Sequence, residues 1–181
     1  MSLDRLYELI RTVSGRVKRM HEGVPSGRSA ARADGERLRQ RERQVDRIYA
    51  EWRGGAHENA WLTVLKQLES AQDPVAELHW LFDRIVQWPD PRLANRLAQE
   101  LLPYLLAARR LSEALKLTAE RLKIDVDFRP LSGADAIRLA QLARDAGERP
   151  LARSLLNGFD QHYPNDAGWA LAQDLAQQLA R

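Results

Sequence analysis

Gly133-Ala-Asp-Ala-Ile-Arg-Leu-Ala-Gln-Leu-Ala-Arg-Asp-Ala-Gly147-Glu-Arg-Pro-Leu-Ala-Arg-Ser-Leu-Leu-Asn-Gly-Phe-Asp-Gln-His-Tyr-Pro164 is the stretch that decides the fold. It reads as two helices, about Ala134–Ala146 and Pro150–His162, joined across Gly147 and closed by Pro164. Glycine supplies the turn conformation, proline suits the first position of a helix, and a later proline ends it. Alanine at 152 lets the two helices approach closely.

Working outward, the same arrangement recurs. Asp73-Pro-Val-Ala-Glu-Leu78, Leu111-Ser-Glu-Ala-Leu-Lys116 and Arg149-Pro-Leu-Ala-Arg-Ser154 place Ala76, Ala114 and Ala152 at intervals of 38 residues, and Pro74 and Pro150 share one offset. A fixed period in this range is the mark of stacked helical hairpins, none of which can bury its apolar face alone. Helices are predicted at about Glu58–Ala71, at 74–86 (with Asp73 as N-cap and Leu78, Leu81, Phe82, Ile85 and Val86 inward), at Pro91–Arg109 and at Ser112–Lys123. Pro103 is a candidate kink and Asp125–Pro130 a connector. A last amphipathic helix, Ala167–Arg181 with Leu171, Leu175 and Leu179 on one face, is expected to cover the open end. No strand pattern emerges, so the fold class is all-α.

Residues 133–166 resemble a tetratricopeptide repeat. Leu139 and Ala140 fit its first-helix pair, Gly147 its turn, Ala152 its second-helix alanine and Pro164 its closing proline. Ala136, Ala143 and Phe159 depart from the pattern, and Ala71 and Arg109 stand where the earlier units would carry the turn glycine. The resemblance implies a helical-hairpin solenoid with a concave surface for a peptide or helical partner. By that alignment Trp61 falls on the inner helix, with Gln99 and Ile137 at equivalent places and Arg96, Gln141 and Arg144 nearby. The expected partner-binding residues are therefore Trp61, Arg96, Gln99, Gln141 and Arg144.

The N-terminal third differs in kind. Leu3, Leu6, Ile10, Val13, Val17 and Met20 alternate at spacings of three and four, the seam of a heptad helix. Left in water, those six side chains would forgo roughly 1–2 kcal/mol each. They are expected to pack on the second helix, on the body, or on a second copy in self-association. Residues 21–35 hold three glycines, a proline and two serines and read as a linker, with Asp34 expected to cap the next helix. From Glu36 to Arg53 a charged helix continues the heptad through Leu38, Val45, Ile48 and Trp52, interrupted by Arg41 and ended by Gly54-Gly55. The expected organisation is an N-terminal helical segment, 1–55, and a repeat domain, 56–181.

The chain has 181 residues, 44% of them apolar and 29% charged, and a net charge of +3. Residues 1–56 carry a net +5 and the remainder a net −2. That asymmetry suits an acidic partner or nucleic acid. Arg37, Arg39, Arg41 and Arg43 fall at every second residue, but Glu36, Glu42, Asp46 and Glu51 are interspersed, which reads more as a solvated helical face than as a dedicated binding strip. The Arg, Ala and Leu richness points to a GC-rich bacterial genome. Cysteine is absent, which excludes disulfides and thiolate chemistry. No apolar run approaches the roughly 20 residues needed to span a bilayer, and Asp4 and Glu8 do not suit a secretory signal. A cytoplasmic protein is expected.

Catalytic chemistry is not legible. His21, His57, His79 and His162 lie on separate elements without zinc spacing. Gly54-Gly55 lacks the strand and Lys-Ser/Thr of a phosphate loop, and no serine has a visible histidine and carboxylate beside it. No cofactor, metal or catalytic residue is expected. The expected function is a non-enzymatic protein-interaction scaffold; the alternatives are a nucleic-acid-associated protein acting through the basic N-terminal third and an oligomerising adaptor.

Overall fold

In a computed structural model of the chain, residues 27–180 are described. They form α1 (Gly27–Arg53), α2 (His57–Ser70), α3 (Pro74–Ile85), α4 (Pro91–Ala107), α5 (Leu111–Ile124), α6 (Gly133–Asp145), α7 (Arg149–Leu156), α8 (Phe159–His162) and α9 (Trp169–Ala180), with no strand among them. The heptad residues Leu3 to Met20 lie outside the described residues. The chain divides into two compact units, Met1–Arg84 and Ile85–Arg181. The expected boundary at 55/56 falls inside the first unit, where α1 and α2 pack as a hairpin.

One turn is used three times. In each case a residue with left-handed backbone follows a helix: Gly55 at φ 83°, Arg109 at 58° and Gly147 at 81°. Its amide donates three residues back, to Trp52, Leu106 and Arg144, at 3.1, 3.2 and 2.9 Å. The next amide reaches five back, Ala56 to Glu51, Arg110 to Leu105 and Glu148 to Ala143, at 2.9, 2.9 and 2.8 Å. This pair of bonds is the Schellman closure, which satisfies carbonyls that the helix end leaves open. The next helix then starts from a near-identical backbone, (−84°, 56°) at Ala56, (−82°, 58°) at Arg110 and (−82°, 56°) at Glu148.

Five residues beyond each left-handed residue stands an alanine with no exposed surface: Ala60, Ala114 and Ala152. The hairpins α1–α2, α4–α5 and α6–α7 close over these positions, where a larger side chain would hold the helices apart. Ala114 and Ala152 keep the interval of 38 expected from the sequence. The first member of the series is Ala60, 54 residues before Ala114. Ala76, assigned to the series on spacing, lies outside it and is not fully buried. It belongs to α3, which begins from an extended Ala71 (φ −74°, ψ 143°) and an Asp73 cap rather than from a Schellman turn. Asp73 Oδ1 accepts from the amides of Val75 and Ala76, both at 3.0 Å, as an N-cap before Pro74 should.

Other expectations are corrected. Residues 27–35 are helical, not part of a linker, and Asp34 sits inside α1 beside Arg37 at 3.8 Å instead of capping it. The alanines and arginines of this stretch favour helix strongly enough to carry Gly35, whose presence costs about 1 kcal/mol. The helix expected over 150–162 breaks at Gly158, which takes φ 64° and leaves α8 as a separate turn. In α9 the buried stripe is Ala172, Leu175 and Leu179, while Leu171 is half exposed. Leu38 is likewise 48% exposed, although Val45, Ile48 and Trp52 of the same stripe are buried. α4 stays helical through Pro103.

In the first unit Val45, Ile48 and Trp52 of α1 meet Ala60, Trp61 and Val64 of α2 as the core of the hairpin. In the second, α4 is buried over most of its surface, from Leu93 to Leu106. There α6 packs against both α4 and α5, and α9 packs on α6, α7 and α8.

Candidate functional site

The residues expected to line a binding face fall in both units. In the first, Trp61 is 5% exposed and works as a core residue of α2, so its ring is not offered to a partner. The informative cluster of this unit surrounds Arg41. Its Nε donates to Glu77 Oε1 at 3.1 Å and its Nη2 lies 2.7 Å from Oε2. The guanidinium carbon stands 4.0 Å from the Trp80 ring centroid. Gln67 Nε2 also donates to Glu77 Oε1, at 2.6 Å, and Glu77 is buried. Arg84 approaches the same indole at 5.3 Å and donates to Glu42 Oε1 at 3.0 Å. A planar guanidinium matches a carboxylate with two bonds and stacks on an aromatic face at once. The arginine that spoils the heptad therefore ties α1 to α3.

On α1, Glu51 accepts from Arg47 Nε and Thr63 Oγ1, each at 2.9 Å. The Arg47 bond foremost holds its carboxyl below the usual range. Helical spacing puts Arg39, Arg43 and Arg53 on the side of α1 away from the buried stripe. All three are exposed, and among the described residues none has an ion-pair partner within 4 Å.

In the second unit the expected residues sit on α4 and α6, where Gln99 and Arg144 hydrogen-bond within the fold. Gln99 Nε2 donates to the Arg129 carbonyl at 2.7 Å, and Asn95 Nδ2 to Asp125 Oδ2 at 2.7 Å. Together they fasten the 125–130 connector to α4. Buried Arg129 donates through Nη1 to the carbonyls of Val126 and Phe128, at 2.9 and 2.7 Å. Tyr163 Oη donates to the Pro130 carbonyl at 2.7 Å. Burial pushes the Tyr163 hydroxyl up to about 12, with Asp135 and Asp166 acting in the same direction against Arg129. Arg144 bonds Asp145 Oδ1 at 2.8 Å and reaches Gln178 Oε1 on α9 at 3.1 Å.

Arg96 and Gln141 are half-buried on α4 and α6, and Ile137 is buried. Beside Arg96, Glu100 has its carboxyl raised by burial, partly offset by the Arg96 charge. The latches on the connector are not legible in the sequence, because each joins residues about 30 positions apart. A polar residue recurring on an otherwise apolar helix, Asn95 then Gln99, is the one available signal.

Among the described residues no group of three or more His, Asp or Glu is placed to hold a metal ion, and no helix is long and apolar enough to cross a membrane. Comparison of the chain with known protein families, with curated proteins and with solved structures returns no match.

Proposed function

We propose that the chain is a tetratricopeptide-like interaction scaffold of the bacterial cytoplasm, acting by binding a peptide or helical partner and not by catalysis. The observation that supports this reading is the threefold hairpin, with its Schellman turn and buried alanine at 55/60, 109/114 and 147/152. Such hairpins leave one helix of each pair to present side chains to a partner. In the second unit those helices are α4 and α6, and Arg96 and Gln141 are their partly accessible polar residues. Gln99 and Arg144 hold the surface in shape, and Trp61 belongs to a core.

The test is capture of partners from nuclease-treated lysate by the full chain and by an Arg96→Ala/Gln141→Ala variant. The scaffold reading expects a captured protein that the variant loses while its helicity and Tm stay unchanged. Equal capture by both removes these residues from the interface.

A second reading rests on the outward face of α1, where exposed Arg39, Arg43 and Arg53 can contact phosphates. Nucleic-acid binding through them would fall steeply between low and moderate salt. It would also be lost in an Arg39→Glu/Arg43→Glu variant. A response flat in salt sets this reading aside.

A further inference from the structure

Five hydrogen bonds from three arginines gather at the last turn of α9. Arg149 Nη2 donates to the Leu179 carbonyl at 3.0 Å and to the Gln178 carbonyl at 3.4 Å. Arg153 donates to the same Leu179 oxygen through Nε, at 3.2 Å, and through Nη2. Two guanidinium cations therefore converge on one neutral oxygen. Among the described residues neither has a carboxylate within 4 Å, whereas Arg144 beside them is paired with Asp145. Arg149 is also the first residue of α7, where the helix dipole adds to the positive charge. The other end of α9 is seated differently. The Gly168 amide donates to Asp166 Oδ1 at 2.7 Å, and a side chain at 168 would come within 2.5 Å of Ile137. The root of α9 is thus fixed on α6, while its tip rests on Leu175, Leu179 and bonds to neutral atoms.

We propose that the tip of α9 is a displaceable occupant, and that the surface beneath it, with Arg149 and Arg153 at one end, binds an acidic amphipathic helix of a partner protein. The proposal goes beyond the α4 and α6 face named above and does not depend on it. Charge selects the partner. A guanidinium bonds a carboxylate about twice as strongly as it bonds a neutral acceptor. A carboxylate shared by Arg149 and Arg153 therefore outcompetes the Leu179 carbonyl, and the freed carbonyls of the α9 tip pass to water. The apolar bed sets the rest of the partner. It must replace Leu175 and Leu179 with two apolar residues four apart, which share one helix face, and carry Asp or Glu in the turn that follows. Inorganic phosphate would meet the arginines but leave the beds of both leucines open, so a free oxyanion does not lift the helix.

The test uses the full chain and two fluorescent peptides, read by anisotropy at low and moderate salt. One peptide has the sequence of residues 169–180, amidated at its C-terminus; the other adds Gln178→Glu and Ala180→Glu. The acidic peptide should bind about tenfold more tightly than the unaltered one, and less so as salt rises. On binding, the amides of residues 176–180 in the chain should exchange faster while the Ala152 amide stays protected. Arg149→Gln/Arg153→Gln should abolish the preference for the acidic peptide. A second variant leaves both arginines in place: Gln178→Glu in the chain itself gives the α9 tip its own carboxylate, and should weaken binding of the acidic peptide about tenfold. Equal affinity for the two peptides overturns the proposal. So does no binding of the acidic peptide, lifting of the tip by inorganic phosphate alone, or undiminished binding in the Gln178→Glu chain.

Discussion

The hairpins α1–α2 and α6–α7 share a turn to within a few degrees but bury very different amounts of their first helix. α6 is buried at Ala136, Ile137, Leu139, Ala140 and Ala143, a broad face that α4, α5, α7 and α9 surround. Among the described side chains of α1, the buried apolar ones are Val45, Ile48 and Trp52, and the helix meets α3 through a charged cluster. The turn and its alanine are thus a local device that holds two helices together. How much of a helix goes inside is decided by what else packs on it.

The largest effects should come from overfilling the alanine positions. Ala60→Leu, Ala114→Leu and Ala152→Leu should each cost about 1–3 kcal/mol, while Ala76→Leu should stay within about 0.5 kcal/mol. Urea unfolding separates the two groups, and a costly Ala76→Leu would restore the even period of 38. Next, Glu77→Ala leaves the Arg41 guanidinium and the Gln67 amide without their acceptor, and should cost about 1–3 kcal/mol. Leu38→Ala, one step along the same stripe, should cost far less in the body of the protein.

The turns themselves should respond with opposite signs. Gly147→Ala forces a side chain into left-handed backbone and should cost about 1–2 kcal/mol, whereas Arg109→Gly relieves that strain and should stabilise by up to about 1 kcal/mol. Thermal melts measure both, and an unstable Arg109→Gly would mean that the Arg109 side chain matters more than its backbone.

The smallest effect concerns Tyr163. Its folded pKa of about 12 lies above the ordinary 10, so its contribution is complete below pH 10 and is lost as pH rises toward 12. Tyr163→Phe should flatten the fall in stability across that window. An unchanged alkaline profile would show that burial does not hold the hydroxyl in its protonated form.

Much of the second unit is legible in the sequence because its signals are local. Gly147 marks a turn, Ser132 accepts from the Asp135 amide as an N-cap, and leucines space the buried faces. The first unit resists because its signals compete. α3 and its flanking turns lengthen the interval between Ala60 and Ala114, so an alanine at the expected spacing stands in for the true equivalent. Arg109 adopts a backbone that its side chain does not advertise. Asp34, a good cap in isolation, is tolerated within α1 beside Arg37. For the binding face, Trp61, Gln99 and Arg144 carry the right chemistry, but their use inside the fold depends on partners distant in sequence.

The most direct test of the threefold hairpin is native-state amide hydrogen exchange at four alanines. Ala60, Ala114 and Ala152 donate to Ala56, Arg110 and Glu148 in closed hairpins and should exchange only through slow, large-scale opening. Ala76, bonded to the Asp73 side chain at the start of α3, should exchange orders of magnitude faster. Equal protection at Ala76 and Ala114, or rapid exchange at Ala60, would contradict the register of the three hairpins.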